Sequence, residues 1–459
     1  MPEKTMNDDT PQELAANGRE AGVELDEYNP FPFDADKISI SDKRVPLQTM
    51  IRRLKQGTIT APPIQRGAGI WDDDQQSRLI ESLMLKIPVP LFYVAEVDEE
   101  ETINWKVVDG LQRVTAINRY VLLQEFALSG LEFLRDLEGR KFDDLPQKFQ
   151  NRIFETEFQF AIINPSTPQN VQRNVFKRLN TGGLPLTPQE IRHALYYGPS
   201  ADLLEELAQS DSFKTATAGS VDDTRMAGRE LVLRFLAFLI RGVDSYPKNE
   251  DMDDFLSGTM QIINLMPDIS SGELSKAFGQ DIKNITIRWR THGQLKGLFH
   301  LAMKRAHGLF GEYAFRKSGP GQDRRRAPIN KSLFETWSAL LCEMEDEKYQ
   351  SLLNNRDRFY SLLEAATYHA GNDDLGRFIS RDSHKFQGVQ KRYRILKNIA
   401  EIAIGNYNLN DSVRIINHAN DLEGVLGGIL KNQSSHLLDE IPSKMLSDIV
   451  SSFLKMNQK

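Results

Sequence analysis

The stretch "VVDGLQRVTAI", Val107 to Ile117, decides how the chain is to be read. Two β-branched residues run into Asp-Gly, and an amphipathic segment follows at once. The pattern predicts a strand that ends at Asp109 and a helix of about 15 residues from Leu111, with Val114, Ile117 and Val121 turned inward. Asp109 is placed to act as N-cap, with Gln112 three positions on completing a variant capping box, and Gly110 lets the backbone turn sharply. Arg113 does not fit this local logic, because a cation in a first helical turn opposes the macrodipole at a cost of about 0.3–1 kcal/mol. Two arrangements would resolve the conflict: an anion such as phosphate held at that helix end, or an acidic partner supplied by the fold. If the arginine only opposes its dipole, removing it should leave thermal stability unchanged or slightly raised. A large fall would mark it as a member of a structural ion pair.

Outward from this stretch, residues 38–200 alternate short β-rich runs with helical periods. "PLFYVAEV" and "INWKVV" read as a hairpin across "DEEET", and the acidic cluster Asp72–Asp74 suits a helix start. Beyond residue 200 strand signals almost vanish, and segments such as "GRELVLRFLAFLIRGV", "NKSLFETWSALLCEME" and "RYRILKNIAEIAIGNY" carry helical apolar spacing. The expected fold class is therefore α+β: a mixed α/β domain over 38–200, then an all-helical region over 201–459 built as one bundle or two lobes. Residues 1–37 precede both; the first 36 hold ten acidic side chains against Lys4 and Arg19, a composition expected to form a disordered acidic arm.

The totals exclude several classes. The 459 residues are 40% hydrophobic and 26% charged, ordinary for a globular protein, and too many for a single small core. A lone Cys342 rules out an internal disulfide and any CxxC metal site. No apolar run approaches the roughly 18–20 residues that span a bilayer, and the start lacks a signal core, so a cytoplasmic protein is expected. A net charge of −7 means that any contact with nucleic acid depends on local basic patches. Walker, HExxH and GxSxG motifs are absent from the sequence.

Two further segments join the opening one. In "VFKRLNTGGLPLTPQEIRHALY", Asn180-Thr181-Gly182-Gly183 ends one helix, and Thr187, Pro188 and Glu190 open the next. Asn180 and Thr181 are polar groups ahead of two glycines that permit close backbone approach, and Arg192 reads as a second cation in a first helical turn. Two such arginines suggest two sides of one anion site. In "PPIQRGAGIWDDDQQ", Gln65 and Arg66 stand in a Pro/Gly-rich loop, with Trp71 as a packing anchor.

Taken together, "IQRGAGIW", "VVDGLQR" and "FKRLNTGGLPLTPQEIR" resemble the N-terminal domain family of GmrSD-type restriction endonucleases, over about residues 38–240. The resemblance implies a fold related to ParB and sulfiredoxin, and a place in prokaryotic restriction or anti-phage defence. It also implies nucleotide binding and hydrolysis at a D-G-Q-Q-R segment, here Asp109, Gly110, Gln112 and Arg113; Leu111 departs from the common glutamine. The expected nucleotide site combines Gln65, Arg66, Asp109, Gly110, Gln112, Arg113, Asn180, Thr181, Gly182, Gly183 and Arg192, with Asp109, Arg113 and Glu190 as candidate catalytic groups. The arginines would neutralise the charge of a nucleoside triphosphate, while Asp109 or Glu190 would hold a divalent ion such as Mg or orient water. Full-length enzymes of this type carry an HNH-type nuclease, but the eight histidines here lack the required companions, so an intrinsic nuclease in the C-terminal half is not expected.

That half carries two basic stretches. "FRKSGPGQDRRRAPINK" and "GRFISRDSHKFQGVQKRYRILK" put forward Arg324, Arg325, Arg326, Lys391, Arg392 and Arg394 as contacts to DNA phosphates. Three rival readings stay open beside the NTPase: a ParB-like DNA endonuclease, a nucleotide-gated binding module without turnover, and a scaffold that recruits a separately encoded nuclease.

Overall fold

The structure, a computed structural model, describes residues 19–20, 23–24, 39–60, 71–99, 102–167, 171–173, 175, 186–248, 252–278, 286–319, 326–368 and 375–405. Of the N-terminal arm, β1 (Arg19–Glu20) pairs antiparallel with β2 (Val23–Glu24). The α/β part of the chain is organised by a five-stranded mixed sheet in the order β3 (Ile40–Pro46), β7 (Glu157–Ile163), β5 (Phe92–Glu99), β6 (Thr102–Asp109), β4 (Ile59–Thr60). The predicted hairpin is present as β5 and β6, antiparallel with Glu99 opposite Thr102 and Tyr93 opposite Asp109. β7 runs parallel to β5, and β4 runs parallel to β6 through Trp105 and Lys106.

The Val-Val pair of the opening stretch makes physical sense once both sheet faces are seen to be covered. Successive strand residues point to opposite faces, so a strand buried on both sides reads as a continuous apolar run. Val107 enters a core with Phe92, Val94, Trp105 and Phe160, roofed by α1 (Leu47–Lys55), α2 (Asp73–Met84), α3 (Leu111–Ile117) and α4 (Gln147–Glu155). Val108 enters the opposite core with Ala95, Ile163, Ile191 and Leu195. The last two lie on α5 (Pro188–Leu195), and this second core continues without a break into the helical half as far as Ile404. The two halves of the chain therefore share buried surface.

Local signals explain most helix boundaries. In α2 the Asp72 carboxylate accepts from the Gln75 N–H at 2.7 Å, and Asp73 and Asp74 occupy the favourable first turn. Helix α5 opens as expected, with Thr187 and Glu190 forming a reciprocal capping box and Pro188 in the first turn. The box expected at Asp109 and Gln112 does not form: Asp109 is the last residue of β6, and Gly110 takes the N-cap position at φ +98°. The helix from Leu111 is also shorter than expected. It passes at Asn118 into a π-helical turn ending at Leu122, although Val114, Ile117 and Val121 do point inward.

After α5 come α6 (Pro199–Gln209), α7 (Asp211–Ala216), α8 (Ala227–Arg241), α9 (Met252–Asn264), α10 (Ser271–Phe278) and α11 (His292–Phe310). They are followed by α12 (Lys331–Glu343), α13 (Asp346–Asn354), α14 (Arg356–Tyr368), α15 (Leu375–Phe378) and α16 (Phe386–Ile404). Helix α8 is buried from Gly228 to Arg241, which is why apolar residues run all round it rather than along one stripe. It is the axis on which the helical half packs, and it carries the buried charges Arg229, Glu230, Arg234 and Arg241 inward.

Candidate functional site

The junction between β6 and α3 is built by four residues of the "DGLQR" segment. Gly110 must be glycine for two reasons: its φ lies in the left-handed region, and a Cβ there would meet the Phe92 ring at 2.5 Å. This turn swings Arg113 back over the strand end. One terminal nitrogen, Nη2, donates to Asp109 Oδ2 at 2.8 Å, while Nη1 donates to the Leu91 carbonyl at 3.3 Å and to the Pro90 carbonyl. The guanidinium also stacks 4.5 Å from the centroid of Phe92, which is fully buried. Burial lowers the Arg113 pKa, and Asp109 works against that fall.

This geometry answers the question the sequence raised. The acidic partner of Arg113 is Asp109, four residues earlier, and the clasp offsets the dipole penalty that made the arginine look misplaced. The expectation that removing Arg113 leaves stability unchanged or raised is therefore reversed. The Arg113 side chain is only 11% exposed, whereas that of Asp109 is 34% exposed, so the carboxylate rather than the guanidinium is presented to solvent. Gln112 does a different job: its Oε1 accepts from the Trp71 N–H at 3.3 Å, fixing the exit of the "IQRGAGIW" segment beside "DGLQR". Two of the three segments singled out in the sequence thus meet. Gln65 and Arg66 themselves, and Asn180, Thr181, Gly182 and Gly183, lie outside the described residues.

Arg192 requires a correction. Because α5 has only eight residues, Arg192 falls in its last turn, where a cation is favourable rather than misplaced. It is 1% exposed and bonded to Asp253 and, at 2.9 Å, to Gln189, with Glu230 at 3.9 Å. Glu190 is fully buried in its capping box and accepts from Arg225 at 3.2 Å. Neither side chain faces solvent, so the pair of arginines flanking one anion is not what the fold builds. Sequence reasoning missed Phe92 as the platform under Arg113. The four-residue spacing of Asp109 and Arg113 was the available signal for their pairing.

The basic stretches divide in the same way. Arg392, expected to touch nucleic acid, is instead wholly buried: it donates to the Phe378 and Ser383 carbonyls, each at 2.8 Å, to Thr336 Oγ1 at 2.9 Å and to Glu335. Lys391 is half-buried over the Phe378 ring, Arg394 is exposed, and Arg326 is 43% exposed beside Glu312. Arg324 and Arg325 lie outside the described residues.

The described residues fit one end of a metal–nucleotide complex better than the other. The accessible Asp109 carboxylate suits a hard divalent cation, and the Gln112 amide, whose oxygen is engaged, keeps a donor for an oxygen acceptor. The Arg113 fork already serves three protein acceptors and its side chain is only 11% exposed, so little of it is open to a phosphate. Among the described residues no group of three or more His, Cys, Asp or Glu side chains could hold a metal, and no helix is long and apolar enough to cross a membrane.

A carboxylate held at a strand–helix junction of a mixed sheet, backed by a fused helical region, defines the class: an α+β domain whose presented chemistry is acidic. Residues 47–197 match the family model described as "GmrSD restriction endonuclease, N-terminal domain". The matched segment runs from α1 to just beyond α5 and contains "VVDGLQR" whole; the helices from α6 onward lie outside it. A comparison with curated proteins finds no match.

Proposed function

We propose that this chain is the nucleotide-binding and nucleotide-hydrolysing component of a restriction system that acts on DNA. The match of residues 47–197 to a restriction endonuclease domain family supports the DNA-directed role. The observation that carries the rest is the Asp109 carboxylate, accessible at the end of β6 while its Oδ2 is tied to Arg113. In this reading Asp109 holds a divalent ion or orients the attacking water, and Gln112 donates to an oxygen of the nucleotide. A bound divalent ion would supply charge neutralisation at the phosphates. Gln65, Arg66 and Asn180 to Gly183, from the other two segments of the resemblance, are assigned to the same nucleotide. The accessible cations Arg326, Lys391 and Arg394, with Arg324 and Arg325, serve contact with DNA, which a molecule of net charge −7 must arrange locally.

Phosphate release from each of the four nucleoside triphosphates, with and without DNA, tests this for wild type and Asp109→Asn. The expected result is release by the wild type and loss of about 100-fold or more in the variant, the scale of general acid–base or electrostatic contributions. Equal release by both proteins overturns the assignment of Asp109. Nicking of supercoiled plasmid in the presence of a divalent metal, abolished in Asp109→Asn, would instead identify a nuclease. Nucleotide binding without release would identify a nucleotide-gated module.

A further inference from the structure

We propose that Arg113 is a positioning residue: its guanidinium fixes the Asp109 carboxylate and does not itself bind the phosphates of the nucleotide. This inference rests on the reading just given and deepens it by dividing the labour within "DGLQR". Three observations converge on it. The fork is committed to one carboxylate and two main-chain carbonyls, those of Pro90 and Leu91. Its flat face lies on Phe92, a ring that also closes off the space behind Gly110. Only 11% of the side chain is exposed, against 34% for Asp109.

A ligand seeking the guanidinium would compete with a charged acceptor, two carbonyls and a ring for a side chain that is only 11% exposed. A ligand seeking Asp109 meets no such barrier. The chain of support runs from Phe92 on β5, through the guanidinium, to the carboxylate at the end of β6. The clasp therefore fixes Asp109 relative to the neighbouring strand rather than leaving it on a free turn. Gly110 is the hinge that makes the closure possible, because any larger residue would occupy the space taken by Phe92 and approach the Arg113 Nη2. The planar fork reaches its three acceptors from two separate nitrogens while lying over Phe92, a geometry that the single tetrahedral ammonium of lysine cannot reproduce.

The test uses full-length wild type, Arg113→Lys, Arg113→Gln, Asp109→Asn and the double variant Arg113→Gln/Asp109→Asn. Affinity is read with fluorescently labelled ATP and GTP, turnover by phosphate release, and stability by thermal melting. If Arg113 positions Asp109, kcat falls about 10- to 100-fold in both arginine variants, as a displaced reacting group predicts, while KM and the labelled-nucleotide affinity stay within about 3-fold. Lysine gives little rescue. If Arg113 is instead a phosphate ligand, glutamine weakens nucleotide affinity about 10-fold or more and lysine largely restores it, which overturns the proposal.

A wild type that neither binds nor hydrolyses any nucleotide defeats the functional reading alone. The melting data then decide the clasp. Single variants that each lower Tm, with a double variant no less stable than the worse single, support it. Additive shifts, or a Tm raised by Arg113→Gln, overturn it.

Discussion

Replacing Glu335 by glutamine should be among the most destabilising conservative changes available in the helical half. Glu335 sits on α12 at 0% exposure between two guanidinium groups: Oε2 accepts from Arg234 Nη1 at 3.0 Å, and Oε1 accepts from Arg392. Arg392 is itself at 0% exposure, and Arg234 continues the line to Glu230 at 3.0 Å. Glu230 also receives Lys331 at 3.1 Å and lies 3.9 Å from Arg192. Charges therefore alternate through the interior, from α5 through α8 and α12 to α16. Glutamine keeps the shape and one acceptor, but it removes the negative charge between two buried cations and turns an N–H₂ toward one of them. Breaking a buried pair by removing one partner costs about 3–5 kcal/mol, because the remaining charge is left uncompensated. Urea unfolding followed through Trp337, two residues along the same helix and 1% exposed, reports this core directly. A double-mutant cycle with Arg392→Gln separates pairing from packing: the double variant should be less destabilised than the two singles added together. A cost for Glu335→Gln below about 1 kcal/mol, the scale of an exposed pair, would refute the reasoning, as would strict additivity.

The same network predicts a pH dependence. Burial pushes the Glu230 pKa up, but Lys331, Arg234 and Arg192 together outweigh it, so the group is held below the usual carboxylate range. A depressed folded pKa gives stability that is present above the unfolded value of about 4.3 and lost as pH falls below it, so urea midpoints measured from pH 7 to 3 should drop more steeply for wild type than for Glu230→Gln. Parallel curves would remove Glu230 from the acid response. Gly110→Ala should cost about 2–5 kcal/mol, from left-handed strain and from overlap with Phe92, and thermal melting within 1–2 °C of wild type would count against the tight junction. Glu81 accepts from the N–H groups of Glu132, Phe133 and Leu134 at 3.0, 2.8 and 2.7 Å, so Glu81→Ala should lower Tm and speed hydrogen exchange at those three amides; unchanged exchange would show that the loop is held by other contacts.

How far the sequence could be read depends on the range of the interactions involved. The β5–β6 hairpin, the α2 and α5 caps and the inward face of α3 depend on neighbours a few residues apart, and all were legible. The π-helical end of α3 was not, because no glycine or proline marks it. Nor was the charge network, since Arg392 and Glu335 are 57 positions apart and Arg234 and Glu335 are 101 apart. A run such as "QKRYRILK" shows that cations are present but not that its Arg392 points inward while Arg394 stays exposed. For the candidate site, the segment was legible and the role of its arginine was not. The strand–turn–helix pattern located Asp109 and Arg113, while Phe92 lies on an adjacent strand whose register only the fold supplies, with the Pro90 and Leu91 carbonyls just ahead of it.

The two arginines that looked misplaced turn out to differ in kind, and the difference narrows the chemistry. A cation is favourable or unfavourable according to the end of the helix it occupies, and in an eight-residue helix the two ends are one turn apart. Arg192 therefore needs no ligand to explain it; its partners Asp253, Gln189 and Glu230 bind it into the interior. Arg113 does stand in a first turn, and its partner is the residue that remains accessible. A buried network like that around Glu335 can hold helices in register but has no free face to offer a substrate. The Asp109–Arg113 clasp has one, through the carboxylate, and that asymmetry makes the end of β6 the place to look for chemistry.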